Sequence, residues 1–287
     1  MIKIPDYVTP LKIDALISHA LAEDLGDGDH SSLSCIPEHA EKEAYLLMKS
    51  SGIVAGLALV EPVFHQLDPN MSFDFLVKDG DQVNKGDIIL RLKGKVRAIL
   101  SGERLILNCL QRMSGIATKV DRLRSIIAHT NAQLLDTRKT TPNVRMLEKW
   151  AVQIGGGQNH RFGLYDMIML KDNHIDFAGG ISPAVNAAKD YVSKLGKKLK
   201  IVVETRNLAE VGEAVSVGGV DRIMLDNMSL ADMHSAVALI NGRAETEASG
   251  GITEETIKQI AETGVDFISV GALTHSFESL DISLKAE

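Results

Sequence analysis

The sequence predicts an α/β protein whose larger part is a TIM-like α/β barrel, preceded by a smaller strand-rich domain. Two observations carry the barrel and a third sets off the smaller domain. Beyond residue 130, short apolar runs end repeatedly in a charged or small polar residue, and the last four runs begin at 201, 223, 245 and 267, a constant step of 22 residues. Helix-like stretches at 208–215 and 254–261 lie between them. A strand, a loop, a helix of three turns and a return loop take about that many residues, and the regularity favours a closed parallel sheet over an open one. Before residue 100 the pattern is different, with alternation and closely spaced turns.

Taken in order, the N-terminal stretch lacks a basic segment followed by a continuous apolar one, so it does not read as a secretory leader. It predicts an amphipathic helix with Leu11, Ile13, Ala15, Leu16, Ile17, Ala20 and Leu21 on one side. The longest apolar run, 53–60, is interrupted by Gly56 and falls far short of the roughly 20 residues of a membrane span. Residues 73–77 alternate, 79–81 and 84–87 turn the chain, and Ile88 to Leu90 begins another strand. From Leu100 the apolar positions take helical spacing: Leu105, Leu107, Leu110, Met113, Ile116, Val120, Leu123, Ile126 and Ile127. Ser114-Gly115 is expected to break this stretch into two helices, and a domain boundary is placed there, with 1–112 before it and 113–275 after it.

A net charge of −7 argues against nucleic acid or an anionic membrane surface as partner, since either would repel the chain. An anionic ligand must therefore be met by a local cluster of cations. Cys35 and Cys109 stand far apart without metal-ligand spacing, which reads as two thiols in a reducing, cytoplasmic setting.

In α/β barrels the chemistry sits at the C-terminal ends of the strands. Here those ends carry residues 136–139, Lys171, Glu204, Asp226, Ser249 and Gly271. Arg138, Lys139, His160, Arg161 and Lys171 are expected to converge on one face, which like charges tolerate when a polyanion or acidic neighbours neutralise them. The bland alternative pairs these cations with Asp136, Asp166 and Asp172. Glu204 and Asp226, one register step apart on neighbouring strands, suit ribose hydroxyls, Mg²⁺ or positive charge developing at a sugar C1. Ser249-Gly250-Gly251 and Gly271-Ala272 precede predicted helices, where free N–H groups and the helix dipole bind phosphate. His275 either touches phosphate or caps the tail. His174 reads as a loop support, His65, His129 and His234 as surface residues, and Trp150 as helix packing.

The segments GERLILNCLQRMSGIAT, DTRKTTP, GGGQNHR, IMLKDNH, MLDN, EASGGI and ISVGALTHS, in this order and spacing, closely resemble the quinolinate phosphoribosyltransferase family over nearly the whole chain. AEDLGDGDHSS also resembles the family, with Ser31-Ser32 where two threonines are expected. The resemblance implies a seven-stranded α/β barrel and an N-terminal open-faced α/β sandwich rejoined by the C-terminal tail, 276–287. It implies a homodimer or higher homo-oligomer in which one subunit's sandwich covers the other's barrel mouth. The reaction it implies joins quinolinate to 5-phosphoribosyl 1-pyrophosphate (PRPP), with Mg²⁺, giving nicotinate mononucleotide, pyrophosphate and CO₂. Position by position, Arg104 matches the arginine reaching into the partner's site, and Arg138, His160, Arg161 and Lys171 match the quinolinate-binding set. Lys139, Glu204, Asp226, Ser249, Gly250, Gly271 and His275 match the PRPP side, with Lys139, Glu204 and Asp226 as catalytic residues and Mg²⁺ near the two carboxylates. The nearest rivals share the fold and change the acceptor; a non-catalytic phosphosugar-binding protein is the rival of another class.

Overall fold

The structure, a computed structural model, describes residues 4–287; residues 1–3 of the expected first domain lie outside the described residues. The chain divides into two compact units, each discontinuous in sequence. One comprises Met1–Asp121, Thr140–Gly156 and Ser276–Glu287, and the other Arg122–Lys139 and Gly157–His275. Beside the expected boundary at 112/113, the first unit runs on to Asp121 and also takes in 140–156.

In the first unit, helix α1 (Pro10–Leu25) starts where Thr9 accepts the Lys12 N–H at 3.4 Å and Pro10 takes the first turn. Only Ile17 and Leu21 of its predicted apolar side are buried, and Leu11 is 80% exposed, so the buried stripe is narrower than the pattern suggests. Helix α2 (His30–Cys35), strands β1 (Glu41–Met48) and β2 (Gly52–Ile53), helix α3 (Val60–His65) and strands β3 (Ser72–Phe75), β4 (Gln82–Val83) and β5 (Ile88–Lys95) follow. The C-terminal strand Ile282–Ala286, β1, β5 and β3 lie side by side in that order as an antiparallel sheet. Ala44, Leu46 and Met48 of β1 are buried while the residues between them are half-exposed, the period-two pattern of a sheet covered on one face.

Helix α4 (Val96–Ile126) is continuous for 31 residues, which corrects the expected break at Ser114-Gly115. Ser114 is buried, accepts the Ala55 N–H at 2.9 Å and donates to the Ala55 carbonyl at 3.3 Å. A Cβ on Gly115 would overlap the Glu278 carbonyl oxygen. The small pair therefore lets two other stretches of backbone approach the helix closely, a use of glycine that leaves the helix intact. The segment 140–156 is anchored by fully buried Glu148, which accepts from Arg112 Nε at 2.9 Å and from the Thr141 N–H at 3.2 Å. Pro142 lies in the turn before helix α5 (Arg145–Ile154).

In the second unit, strands β6 (Gln133–Leu135), β7 (Ile168–Leu170), β8 (Ile201–Thr205), β9 (Arg222–Asp226), β10 (Glu245–Ser249) and β11 (Phe267–Ser269) form one parallel sheet. Their order is β6-β11-β10-β9-β8-β7. The four runs of the 22-residue step are β8 to β11. All of β8 is buried, as a parallel strand covered on both faces requires. A seventh extended segment adds to β6 through one bridge between Leu135 and Gln158, with Gln158 N–H donating to Leu134 O at 2.8 Å and Asp136 N–H to Gln158 O at 3.1 Å. Ladder pairing among the described residues thus runs through six strands and reaches the seventh at a single residue. No helix among the described residues is long and apolar enough to cross a membrane.

Candidate active site at the strand ends

A cavity of about 820 Å³ lies within the second unit, walled by the last residues of its strands and the loops that follow them. Arg138, Lys139, His160, Arg161, Lys171, Glu204, Asp226, Ser249, Gly250, Gly271 and His275 all line it. Arg104 does not; it stands exposed on α4 in the first unit. His174 is also outside the lining and accepts the Lys171 N–H on Nδ1 at 3.0 Å, supporting the start of the helix Asp172–Ala178.

Sequence reasoning missed a second layer. Met169, Met224, Glu247 and Ser269 line the cavity too, each two residues before Lys171, Asp226, Ser249 and Gly271. Alternate residues of a strand share a face, so the signal was present: stepping back two from each strand-end residue finds the residue beneath it. Register also refines the carboxylate pair. Glu204 is paired with Met224, which places Asp226 one same-face step further along its strand.

The acceptor-like side is crowded with positive charge. Burial first, and then repulsion from Arg138, lower the Arg161 pKa, with Asp166 acting in the opposite sense. Asp166 accepts the backbone N–H groups of Phe162 (2.6 Å) and Gly163 (2.8 Å). Asp136, fully buried, accepts the His160 N–H (2.8 Å) and the Asn159 side-chain amide (2.6 Å). Both aspartates thus shape the loop carrying His160 and Arg161. Lys171 Nζ lies 3.6 Å from Glu204 Oε2. Burial pushes the Glu204 carboxyl above its ordinary range, Lys171 opposes this, and Asp226 and Asp172 add to it. Two carboxylates close enough to repel each other suit a site that receives positive charge.

The opposite side is built from backbone. Gly250 has φ +94°, and a Cβ there would overlap Asn227 Oδ1; Gly251 follows at φ +60°. Helices begin later, or run shorter, than expected. The first after this loop is Ile257–Ala261, and the one after Gly271 is the four-residue Ala272–His275. Any phosphate is therefore met by loop amides and not by a long helix dipole. A Cβ on Gly271 would lie 3.0 Å from Lys139 Cδ and 3.1 Å from His275 Nε2, so these two side chains flank it. Thr274 Oγ1 donates to the Lys139 carbonyl at 2.8 Å and ties the two loops together. Among the described residues no three His, Cys, Asp or Glu side chains form a metal cluster.

This is the strand-end cavity of an α/β protein, with a cationic wall, two strand-end carboxylates and an opposite wall built around glycines. Family models for the C-terminal and N-terminal domains of quinolinate phosphoribosyl transferase match residues 116–285 and 29–114. The chain is 46% identical to a Nicotiana tabacum protein named quinolinate phosphoribosyltransferase [decarboxylating] 1b, over 100% of this chain and 85% of that one. It is 44% identical to a probable nicotinate-nucleotide pyrophosphorylase [carboxylating] of Bacillus subtilis, over 96% and 93%. The crystal structure of NadC from Streptococcus pyogenes superposes with a TM-score of 0.92 at 41% identity, covering 98% of this chain and 99% of that one. The chain belongs to the quinolinate phosphoribosyltransferase family.

Proposed function

We propose that this enzyme transfers the phosphoribosyl group of PRPP to the ring nitrogen of quinolinate, with loss of CO₂, giving nicotinate mononucleotide and pyrophosphate. The observation that carries the reading is one cavity lined by Arg138, Arg161 and Lys171 together with Glu204 and Asp226. Three cations match a ring with two carboxylates and would be under-used on a monocarboxylate. Arginine forks also fix the plane of that ring, which aims its nitrogen at the ribose C1. As pyrophosphate leaves, C1 gains positive charge, which Glu204 and Asp226 stabilise, while Lys139 neutralises the leaving group. Quaternising the nitrogen lets the adjacent carboxylate depart as CO₂, because the ring cation stabilises the carbanion left behind. No side chain need act as nucleophile, so catalysis is positioning and electrostatics.

Mg²⁺ fits these residues. Two carboxylates without a third ligand suit an ion that takes most of its oxygens from a diphosphate and water. When bound it supplies charge neutralisation to the leaving pyrophosphate. We also propose a homodimer or larger homo-oligomer in which Arg104 serves the site of a second copy, supported by its exposure on α4. A cytoplasmic setting is supported by two free cysteines, although some relatives carry chloroplastic or mitochondrial names.

The direct test is CO₂ release from carboxyl-labelled quinolinate with PRPP and Mg²⁺ present or omitted in turn. Release only with all three supports the reaction; none from folded protein moves the acceptor to nicotinate or the chain to a binding role. Mixing inactive Arg104→Ala and Lys139→Ala chains tests the shared site. Restored activity supports it, and none after confirmed subunit exchange rejects it.

A further inference from the structure

One cavity residue is held from behind in a way that the charge-matching argument does not use. His160, 7% exposed, has its backbone fixed by the Asp136 carboxylate, which accepts its N–H at 2.8 Å. Its Nδ1 accepts the backbone N–H of Arg161 at 2.7 Å. Its Nε2 lies 3.2 Å from Glu247 Oε2, an ion-pair distance without the geometry of a hydrogen bond. Glu247 is fully buried, and the same Oε2 accepts Arg222 Nη1 at 2.9 Å. Arg222 in turn donates from Nε (3.0 Å) and Nη2 (2.8 Å) to Glu245 Oε2, and its guanidinium lies 3.9 Å from the centroid of the Phe267 ring.

Two demands on the imidazole compete here. Two carboxylates sharing one arginine would welcome a second cation, which favours a doubly protonated ring. A proton on Nδ1, however, would face the Arg161 N–H donor-to-donor at 2.7 Å, a contact that costs a hydrogen bond and adds repulsion. A bare Nδ1 with the proton on Nε2 satisfies both neighbours at once. We propose that Glu247, with Arg222 behind it, is a positioning residue that holds His160 as the Nε2–H tautomer, so that this ring meets the acceptor as a neutral surface and not as a fourth cation. Among this subunit's residues the acceptor's charge is then met by Arg138, Arg161 and Lys171. This rests on the reading of that side as the quinolinate side.

Burial works against a charged Glu247, yet His160 and Arg222 beside it hold the carboxyl below its ordinary range. It therefore remains a carboxylate, accepting from Arg222 and facing the His160 Nε2 at close range.

Nitrogen-15 histidine NMR of the free wild-type protein tests the proposal without any substrate, the His160 signals being identified by their loss in His160→Asn. We expect an unprotonated Nδ1 and a protonated Nε2 across the neutral range. A proton on Nδ1, alone or with Nε2, overturns the proposal. In Glu247→Gln we expect loss of the single-tautomer signature and a roughly tenfold rise in KM for quinolinate, with KM for PRPP unchanged. A folded Glu247→Gln protein with the wild-type tautomer and wild-type KM also overturns it. If that variant does not fold, the wild-type spectrum decides alone. Absence of quinolinate turnover in the wild type would count against the proposed reaction instead, because the spectrum reads the tautomer independently of it.

Discussion

The two sides of the cavity are built by different means. Where Arg138, Arg161 and Lys171 gather, the wall is made of long cationic side chains, and burial followed by repulsion from Arg138 lowers the Arg161 pKa. Where Ser249, Gly250, Gly251 and Gly271 gather, the wall is backbone, and room is made by omitting side chains. A flat diacid must be held in one plane, which planar, directional guanidinium groups do well. A phosphate is nearly spherical in its demands and is met by amides in a turned loop. Changes on the first side should therefore act through charge, and changes on the second through shape.

The largest effect is expected between the two sides. Asp226→Ala should lower kcat by roughly a hundredfold or more, the scale of removing one electrostatic stabiliser, while quinolinate KM moves little. Steady-state kinetics decides this, and a raised KM with kcat unchanged would make Asp226 a binding residue. Next comes Arg138→Ala, with quinolinate KM up roughly fiftyfold and PRPP KM unchanged, as loss of a charge-assisted contact implies. Parallel rises in both would erase the distinction between the sides. Gly250→Ala changes no charge, yet it forces a Cβ into Asn227 and an L residue into φ +94°. Strain of order 1–3 kcal/mol should appear as a rise in PRPP KM or a shifted loop, with quinolinate KM intact.

The smallest expected effect is in the pH profile. Glu204 lies above its ordinary range through burial, against the pull of Lys171. A raised carboxyl takes up its proton at a higher pH, so activity needing the carboxylate should fail as pH drops through that raised value, above the usual glutamate range near 4.3. Lys171→Ala removes the opposing cation and should move this acid limb of kcat further up. A limb that moves down, or stays fixed, would separate Glu204 from Lys171.

Much of this was legible because parallel strands repeat. The 22-residue step placed β8 to β11 and the strand-end residues Glu204, Asp226 and Ser249, since a buried strand can end only where polarity becomes tolerable. Glycine was harder to read. Ser114-Gly115 reads as a helix break in isolation, yet the helix continues because Ala55 and the Glu278 backbone pack against the small pair. The helix dipoles expected behind Gly251 and Gly271 shrank to short helices for a similar reason: local composition says that the backbone is permissive, not which way it will turn.

The sequence by itself determined the repeat, the family and which side chains reach the strand ends, because each depends on order and spacing along one chain. Only the tertiary structure decided that Glu247 lies beneath His160, that Arg222 is shared between Glu245 and Glu247, and that the Arg161 N–H occupies His160 Nδ1. Those relations set tautomer and charge through distance and burial. Both depend on which strands become neighbours, a matter on which no residue's own position in the chain gives a sign.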